Sequence, residues 1–340
     1  MLKALSSFDA TALSLDCAAA AREIEQFIQR TVAHDLKRQG IVLGVSGGID
    51  SSVCAALAVR ALGPERVLAI LMPEKESSPD STRRGRLLCE SLGIEPIMEN
   101  ITAPLTALGC YERRDSAIRR LFPEYGPGWK QKIGLAAGLL DADRLNYFTM
   151  TVQSPEGEMQ TSRMPVDVYL SVVAATNLKQ RVRKTMEYTH ADRLNYAVLG
   201  TPNRLEYELG FFVRGGDGLA DLKPIAHLFK SQVYQMAAWL GLPEDIQGQA
   251  PSTDTYTLPQ SQEEFYYAIP YDKLDLALCA FGRGVSAEDA ADALNLSAEQ
   301  VRRVYKDIVL KRRTSGRILR NAALVQPAIA KFVEVDGSDA

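Results

Sequence analysis

Residues 44–52 read Gly-Val-Ser-Gly-Gly-Ile-Asp-Ser-Ser and place glycines, hydroxyls and one carboxylate together. Glycines let a backbone approach a ligand closely, and a helix that starts beside them offers unpaired N–H groups to an anion. Asp50 would repel a bare anion, so its position makes sense mainly if a divalent cation joins it to phosphate. The pattern has neither the lysine of a P-loop nor the spaced glycines of the dinucleotide fingerprint. The alternative is a glycine–serine turn without a ligand, but the residue types favour a phosphate-binding loop.

The other residue types argue against several common chemistries. The five cysteines are odd in number and contain no C-x-x-C pair, which disfavours a disulfide framework and a zinc site. The three histidines are scattered, and none accompanies a serine or cysteine nucleophile motif. The formal net charge of −3 argues against a general nucleic-acid binder, because such a protein needs excess lysine and arginine. No apolar run approaches the ~20 residues that span a bilayer, and the N-terminus lacks a signal pattern. We therefore expect a cytoplasmic protein without a membrane or nucleic-acid partner.

A parallel sheet is expected to position the phosphate-binding loop. The apolar run at 41–43 predicts a buried strand before the loop, and the run at 53–62 predicts a helix after it. Further strands alternate with helices, which predicts a Rossmann-like α/β fold: a doubly wound parallel sheet flanked by helices. The predicted strands are 66–72, 95–101 and 197–199, and the predicted helices are 15–38, 82–92, 168–191 and 233–240. Such sheets bind ligands at the carboxyl ends of their strands, where the loop lies.

The alternation stops over about 102–166, where we expect an insertion into the α/β domain. A helix is predicted over 107–122, and the segments 146–152 and 159–164, joined by a turn at 154–158, predict a β-hairpin. An insertion near a binding site can close over a substrate, form a dimer contact or lie on the surface without a role. The sequence leaves these three alternatives open.

The end of the chain is predicted to be helical. Helical patterns run over 286–294 and 297–313. We therefore divide the chain into an α/β domain over 1–265 and a helical C-terminal extension over 266–340, which packs on the same domain.

A second run of motifs begins at Gly200 and ends at Gln232. In order it contains Gly200-Thr201, Glu206, Gly-Phe-Phe at 210–212, Gly-Asp-Gly at 216–218, Asp221, Pro224 and Lys230-x-Gln232. Together with the first loop and the Asn-x-x-x-Arg-x-Arg segment at 177–183, this run resembles ammonia-dependent NAD synthetases of the ATP pyrophosphatase superfamily. The resemblance covers about 18–313 and is poorest over 102–166. The first loop is shared by other ATP pyrophosphatases, so the second run is the more discriminating part.

The resemblance implies a role for individual residues. Asp50 and Glu206 would bind Mg²⁺ at the ATP phosphates, and Lys230 would neutralise phosphate charge, which makes these three the predicted catalytic residues. The predicted ATP-binding residues are Ser46, Gly47, Gly48, Asp50, Ser51, Ser52, Thr201, Lys230 and Ser252. The predicted substrate-binding residues are Asn177, Arg181, Asp217, Asp221 and Lys311. Simpler explanations exist for some of them: a solvated helix face for Arg181, a turn for Asp217, and a basic helix end for Lys311.

The resemblance also implies a reaction. The family adenylates the carboxylate of deamido-NAD with ATP and transfers ammonia to it, giving NAD, AMP and pyrophosphate. No protein nucleophile is needed, so catalysis would rest on positioning and electrostatic stabilisation. No glutaminase motif is visible in the sequence, so ammonia would come from solution or from a separate protein. The family is typically a homodimer.

Two segments depart from the family pattern on the substrate side. Residues 251–256 and 260–267 differ from it, with Gln262 in place of an acidic residue and Phe-Tyr-Tyr at 265–267. An amide ligase for another carboxylate, such as a biosynthetic intermediate, using ammonia or another amine, is therefore an alternative. A nucleotide sensor without turnover is disfavoured because it would not need both proposed metal carboxylates. A tRNA-thiolating enzyme is disfavoured by the absence of paired cysteines and of a basic excess.

Overall fold

A computed structural model describes residues 8–136, 138–140, 147–249, 256–323 and 325. Its strands are β1 (Ile41–Gly44), β2 (Val67–Leu71), β3 (Ile97–Met98), β4 (Lys130–Leu135), β5 (Phe148–Gln153), β6 (Met159–Arg163) and β7 (Ala197–Val198). Its helices are α1 (Cys17–Arg30), α2 (Ile49–Leu62), α3 (Pro79–Leu92), α4 (Thr102–Ala107), α5 (Cys110–Arg119), α6 (Val166–Leu194), α7 (Arg204–Leu209), α8 (Lys230–Trp239), α9 (Glu244–Gln247), α10 (Tyr271–Gly282), α11 (Ala287–Leu294) and α12 (Ala298–Ile318). Within the described ranges, none of the helices combines the length and the hydrophobicity needed to span a bilayer.

The central sheet is parallel and has the strand order β3-β2-β1-β7. Strand β1 lies in the middle, where Ile41 pairs with Val67 of β2 on one side and with Ala197 of β7 on the other. Both faces of the sheet carry apolar clusters, so the predicted α/β fold is confirmed. Strand β3 is much shorter than the predicted 95–101. It lies at the sheet edge, where Pro96 has no N–H to donate to a ladder.

Helix α2 carries Asp50 and is buried on almost every side. It packs in one apolar cluster with α1, α8 and the strands. Its residues from Val53 to Ala58 are each 2% exposed or less. Alanines and a cysteine in this stretch let the neighbouring elements approach closely, and interiors packed at that density deform little. The predicted phosphate-binding loop is thus attached to a rigid helix. The predicted helix over 15–38 corresponds to α1, which continues from Thr31 to Asp35 as a wider π-type turn.

The insertion contains more structure than the predicted helix and hairpin. The helical segment consists of α4 and α5, separated at Gly109, whose φ is +71°. The predicted hairpin corresponds to β5 and β6, although residue 146 lies outside the described ranges. Strand β4 pairs antiparallel with β5 and completes a three-stranded sheet. The sequence Lys-Gln-Lys-Ile-Gly-Leu of β4 has too little β-branched character to predict a strand. An apolar cluster that includes Ile133, Met150 and Val172 joins this sheet to α6.

Four largely buried charged side chains hold the loop after β2 against α5 and α6. Arg114 of α5 donates to both carboxylate oxygens of Glu76, at 2.6 and 2.9 Å. Lys179 of α6 donates to Glu74 and to Glu76, each at 2.8 Å. Burial opposes the charge of Glu76, but Arg114 and Lys179 outweigh it and lower the pKa of Glu76 to about 2. Buried charges that are paired in this way hold their elements in place, because separating them leaves a charge without water or partner.

The C-terminal helices pack on the α/β domain through an apolar cluster. It contains Leu205 and Leu209 of α7, Leu278 of α10 and Ile308 of α12. Helix α7 carries Glu206 of the predicted site, so the packing of α10 and α12 against α7 holds this helix in place. The boundary at 265/266 stays a prediction.

Candidate active site

The loop between β1 and α2 is shaped to receive an anion. Gly47 has a φ of +76°, and a Cβ there would overlap the carbonyl oxygen of Ser81. Gly48 is the N-cap of α2 and has no side chain that could occupy the N–H groups of the first turn. The hydroxyls of Ser51 and Ser52 donate to the Gly48 carbonyl at 3.0 and 2.8 Å. The serines therefore hold the loop, and the start of α2 is left to bind a negatively charged ligand.

Two adjoining cavities meet at this loop. The smaller has a volume of about 200 Å³ and the larger one of about 650 Å³. Both are lined by Ser46, Ser51, Ser81, Thr201, Glu206, Asp217 and Gln262. Gly47, Gly48, Asp50 and Lys230 line the smaller cavity alone. Because the two share a wall, a phosphate chain in the smaller cavity can reach a second substrate in the larger one.

The structure brings the two predicted metal carboxylates together. Asp50 of α2 and Glu206 of α7 both line the smaller cavity, and Asn203 Nδ2 donates to Asp50 Oδ1 at 3.0 Å. Burial, reinforced by the negative charge of Asp50, raises the pKa of Glu206 to about 8. A carboxyl group with so raised a pKa gains from a cation beside it.

These two carboxylates suit one kind of cation site. Among the described residues, no group of three or more His, Cys, Asp or Glu side chains could hold a metal. Mg²⁺ is commonly bound by one or two carboxylates, with phosphate oxygens and water completing its shell. Asp50 and Glu206 therefore fit Mg²⁺ that is bound together with a nucleotide.

Lys230 is a buried cation on the wall of the smaller cavity. It is 3% exposed, and its Nζ donates to Asp50 Oδ2. Burial opposes its charge, but Asp50 and Glu206 outweigh burial and raise the pKa of Lys230. The start of α8 is anchored by Asp275 of α10, which accepts the N–H groups of Lys230 at 3.2 Å and Ser231 at 2.6 Å. Sequence reasoning missed Asp275, because a lone aspartate in the chain gives no sign of a capping role so far away.

Asp275→Asn is expected to have a pH-dependent effect on stability. Burial raises the pKa of Asp275 from its usual 3.8 to about 6, so the folded protein holds this proton more tightly than the unfolded chain. That contribution is complete below about pH 4 and is lost as the pH rises through about 6. The stability advantage of the wild type over Asp275→Asn should therefore shrink by roughly 3 kcal/mol across this range.

Urea unfolding of both proteins between pH 4 and pH 7 measures that difference. Asp272→Asn, on the exposed first turn of the same helix, is the matched control. A stability difference between wild type and Asp275→Asn that stays constant with pH contradicts the prediction.

Helix α6 presents a polar, mostly basic face to the larger cavity. Asn177, Arg181, Arg183 and Lys184 all line it. The Nε of Arg181 donates to the carbonyl of Arg214 at 3.2 Å, and Lys184 pairs with Glu187 at 2.6 Å. Arg181 and Arg183 thus border a cleft rather than form a plain solvated face. Such a wall suits an anionic substrate.

Three predicted residues do not line either cavity. Asp221 accepts the N–H of Val198 at 2.7 Å and the hydroxyl of Tyr188 at 3.1 Å, beside the sheet. Lys311 pairs with Asp307 at 2.6 Å, and its Nζ lies 5.0 Å from the centre of the Tyr266 ring, which itself lines the larger cavity. Ser52 is fully buried and donates to Gly48. Ser252 lies outside the described residues.

Three of the positions where the sequence departs from the family pattern lie on the cavity walls, whereas Tyr267 is buried in the apolar core and residues 251–255 lie outside the described residues. Gln262 lines both cavities, and Phe265 and Tyr266 line the larger one. The Nε2 of Gln262 donates to Glu206 Oε1 at 3.2 Å. An acidic residue at 262 would instead place a negative charge beside Glu206. Gln262 therefore contacts the proposed cation site as well as the substrate side.

Comparison with known proteins gives one consistent family. The family model described as NAD synthase matches residues 20–119 and 130–314. A protein of Rhizobium meliloti (strain 1021), named NH(3)-dependent NAD(+) synthetase, is 53% identical over 320 residues, which cover 94% of this chain and 95% of that protein. A protein of the same name from Thermotoga maritima is 34% identical over 268 residues, 79% of this chain and 88% of that protein.

Solved structures agree on the fold. An NMN synthetase of Francisella tularensis matches with a TM-score of 0.63 and 22% identity, over 93% of this chain and 100% of that chain. An NH3-dependent NAD synthetase of Campylobacter jejuni matches with a TM-score of 0.59 and 23% identity, over 92% of this chain and 100% of that chain. At these identities the likeness concerns the fold alone.

Proposed function

Since the chain belongs to the NAD synthase family, we propose that it is an ammonia-dependent ligase that converts deamido-NAD to NAD, with ATP giving AMP and pyrophosphate. Close relatives that this chain covers almost completely bear the name of that activity. The observation that carries the proposal is the meeting of three groups at one cavity: the phosphate-binding loop, two carboxylates and a buried lysine. The larger cavity with its basic wall adjoins them.

The first step is the attack of a substrate carboxylate oxygen on the α-phosphorus of ATP. A bond forms between that oxygen and the phosphorus, and the bond to the bridging oxygen breaks, so that pyrophosphate leaves with the electron pair. The start of α2 and Lys230 line the same cavity, so the N–H groups of α2 and the ammonium group of Lys230 would meet the charge that grows on pyrophosphate. Fixed donors and charges aimed at developing charge lower the barrier without rearranging.

In the second step ammonia attacks the acyl carbon of the adenylate, and AMP leaves with the bonding electrons as a proton is lost from nitrogen. The acyl-adenylate is sensitive to water, so the protein must exclude water. The larger cavity is lined by Phe211, Phe265 and Tyr266. The centre of the Phe211 ring lies 5.9 Å from the centre of the Phe265 ring and 4.9 Å from that of the Tyr266 ring. We assign them the role of an apolar screen around the reacting carbonyl.

Asp50 and Glu206 would hold Mg²⁺ in this site, and the ion would offset the negative charge of the ATP phosphates. Asp50 is already paired with Lys230, so the amine would move towards phosphate or share the carboxylate when the nucleotide binds. Glu206 must lose its proton to act as a ligand, because metal ligands bind in their ionised form.

Turnover of deamido-NAD tests this proposal. With ATP, Mg²⁺ and ammonia present, we expect stoichiometric pyrophosphate, AMP and NAD, and no steady pyrophosphate release when the acid is left out. A panel of other carboxylic acids, including the corresponding mononucleotide, measures specificity. Activity on one of them with silence on deamido-NAD would decide for the alternative, a ligase for another carboxylate. That alternative rests on the departures at Gln262, Phe265 and Tyr266, which lie on the cavity walls.

Three finer expectations from the sequence stay predictions: the homodimer, the cytoplasmic location and a separate protein that supplies ammonia. The names of the relatives refer to NH3 itself, which supports free ammonia as the nitrogen source. Gel filtration with light scattering measures the oligomeric state. Replacing ammonium by glutamine in the turnover assay shows whether the chain can take its nitrogen from glutamine without a second protein.

A further inference from the structure

Asn203 lies between the two proposed metal carboxylates and bonds to both. It is 1% exposed and immediately precedes α7. Its Oδ1 accepts the Glu206 N–H at 3.2 Å, and its own N–H donates to Glu206 Oε2 at 3.2 Å. Its Nδ2 donates to Asp50 Oδ1 at 3.0 Å. The Asn203 side chain thus accepts a hydrogen bond from the first turn of α7, which carries Glu206, and donates one to the carboxylate of Asp50 on α2.

The first two bonds could belong to an ordinary helix start. They form a capping box, and the same arrangement occurs at Ser297 and Gln300 at the start of α12. Serine and aspartate cap helices about as well as asparagine. The third bond is different, because it needs an amide donor. A serine hydroxyl that caps α7 is too short to reach Asp50, and an ionised aspartate has no donor at all.

The third bond fixes the orientation of Asp50. One oxygen of this carboxylate accepts from Asn203 and the other accepts from Lys230. Each carboxylate oxygen has two acceptor sites, so with respect to the described residues both oxygens keep one free for a cation. Since Asn203 also holds Glu206, any shift of its amide would change the distance between the two carboxylates.

We propose that Asn203 is a positioning residue that sets the spacing of Asp50 and Glu206 and thereby tunes the affinity for the nucleotide-bound divalent cation. The proposal rests on the proposed function for the identity of the cation site. Groups that hold metal ligands in place commonly change metal affinity by 10- to 100-fold when they are removed. Asn203 therefore acts through the two carboxylates and does not need to touch substrate.

Asn203→Ser tests this role without losing the helix cap. Calorimetry of α,β-methylene-ATP, which resists cleavage at the bond in question, gives its affinity with and without Mg²⁺. We expect the gain in affinity from Mg²⁺ to be about tenfold smaller in Asn203→Ser than in the wild type. The melting temperature of the unliganded variant should stay within about 2 °C of the wild type, because the cap is kept.

A second variant gives a readout that needs neither nucleotide nor turnover. Asn203→Asp keeps the cap but puts a carboxylate oxygen where the amide now meets Asp50 Oδ1. Two like charges at that distance repel each other, so the melting temperature of the metal-free protein should fall by about 3 °C or more. Ser297→Ala breaks the remote capping box and should lower stability while leaving the Mg²⁺ gain unchanged.

Three outcomes overturn the inference: an Mg²⁺ gain in Asn203→Ser equal to that of the wild type, an unchanged melting temperature in metal-free Asn203→Asp, or a wild type whose affinity for the analogue does not depend on Mg²⁺. If deamido-NAD is not turned over but both variants behave as expected, the proposed function fails and the positioning role stands. If deamido-NAD is turned over and the variants behave like the wild type, the positioning role fails and the proposed function stands.

Discussion

Replacing Asp50 by asparagine is expected to lower kcat for pyrophosphate formation by about 10³-fold, or about 4 kcal/mol of barrier. Asparagine keeps the shape of the side chain and an acceptor for Lys230, so the buried lysine retains a partner. It removes the negative charge that would hold the cation at the phosphates, and it replaces the oxygen that accepts from Asn203 by an NH2 group. Steady-state assays with coupled pyrophosphate detection, at saturating ATP and Mg²⁺, measure the loss.

Asp80 provides the matched control for this substitution. Like Asp50 it is the second residue of its helix, but it lies on the surface. Within the described part of the chain, its carboxylate pairs only with Arg83, at 3.4 Å. Asp80→Asn should keep kcat within about twofold, since surface substitutions of this kind change little. A loss of less than tenfold in Asp50→Asn, with the protein folded, would show that this carboxylate does not carry the cation.

Gly47→Ala is expected to weaken ATP binding by about 100-fold, the scale of a misplacement of about 1 Å in a binding site. The residue has a φ of +76°, which costs an L-residue about 1–2 kcal/mol. The added methyl group would also overlap the backbone oxygen of Ser81, and a backbone oxygen cannot move aside as a side chain can. The loop must shift, and its N–H groups would then no longer meet the phosphates together.

Gly93→Ala separates these two effects. Gly93 follows α3 and has a φ of +67°, but nothing lies within 4 Å of the position that a Cβ would take. This control should lose about 1–2 kcal/mol of stability from the backbone strain and keep its affinity for ATP. Equal affinities for ATP in Gly47→Ala and Gly93→Ala would exclude a role of the loop in phosphate binding. Fluorescence titration with a labelled ATP analogue measures both.

The sequence was informative where local patterns are strong. A short run of β-branched residues, a glycine loop and a helix of small residues predicted β1, the loop and α2, and the structure has all three. Helix α10 was missed, because every residue from Leu274 to Ala280 is buried and leaves no alternation of polar and apolar faces to recognise. Strand β4 was missed because four of its six residues are lysine, glutamine or glycine.

The candidate site was predictable only in part, because some of its contacts join residues that lie far apart in the sequence. Asp50, Glu206 and Lys230 were predicted from motifs, and the fold places them around one cavity. Asn203 and Asp275 have residue types found in any loop or helix. Their roles come from partners that lie 153 and 45 positions away. Only the folded chain brings such partners together.

The four paired charges around the loop after β2 limit how far this enzyme could be trimmed. Arg114 belongs to the insertion over 102–166, which lies between β3 and β7 in the chain. It bonds to Glu76, beside a segment whose Pro73 and Ser77 form a wall of the larger cavity. A protein that lacks residues 102–166 would lose the bonds between Arg114 and Glu76, and the segment that forms this wall would be held less firmly. We therefore expect the insertion to support this wall of the larger cavity, and its deletion to weaken the wall.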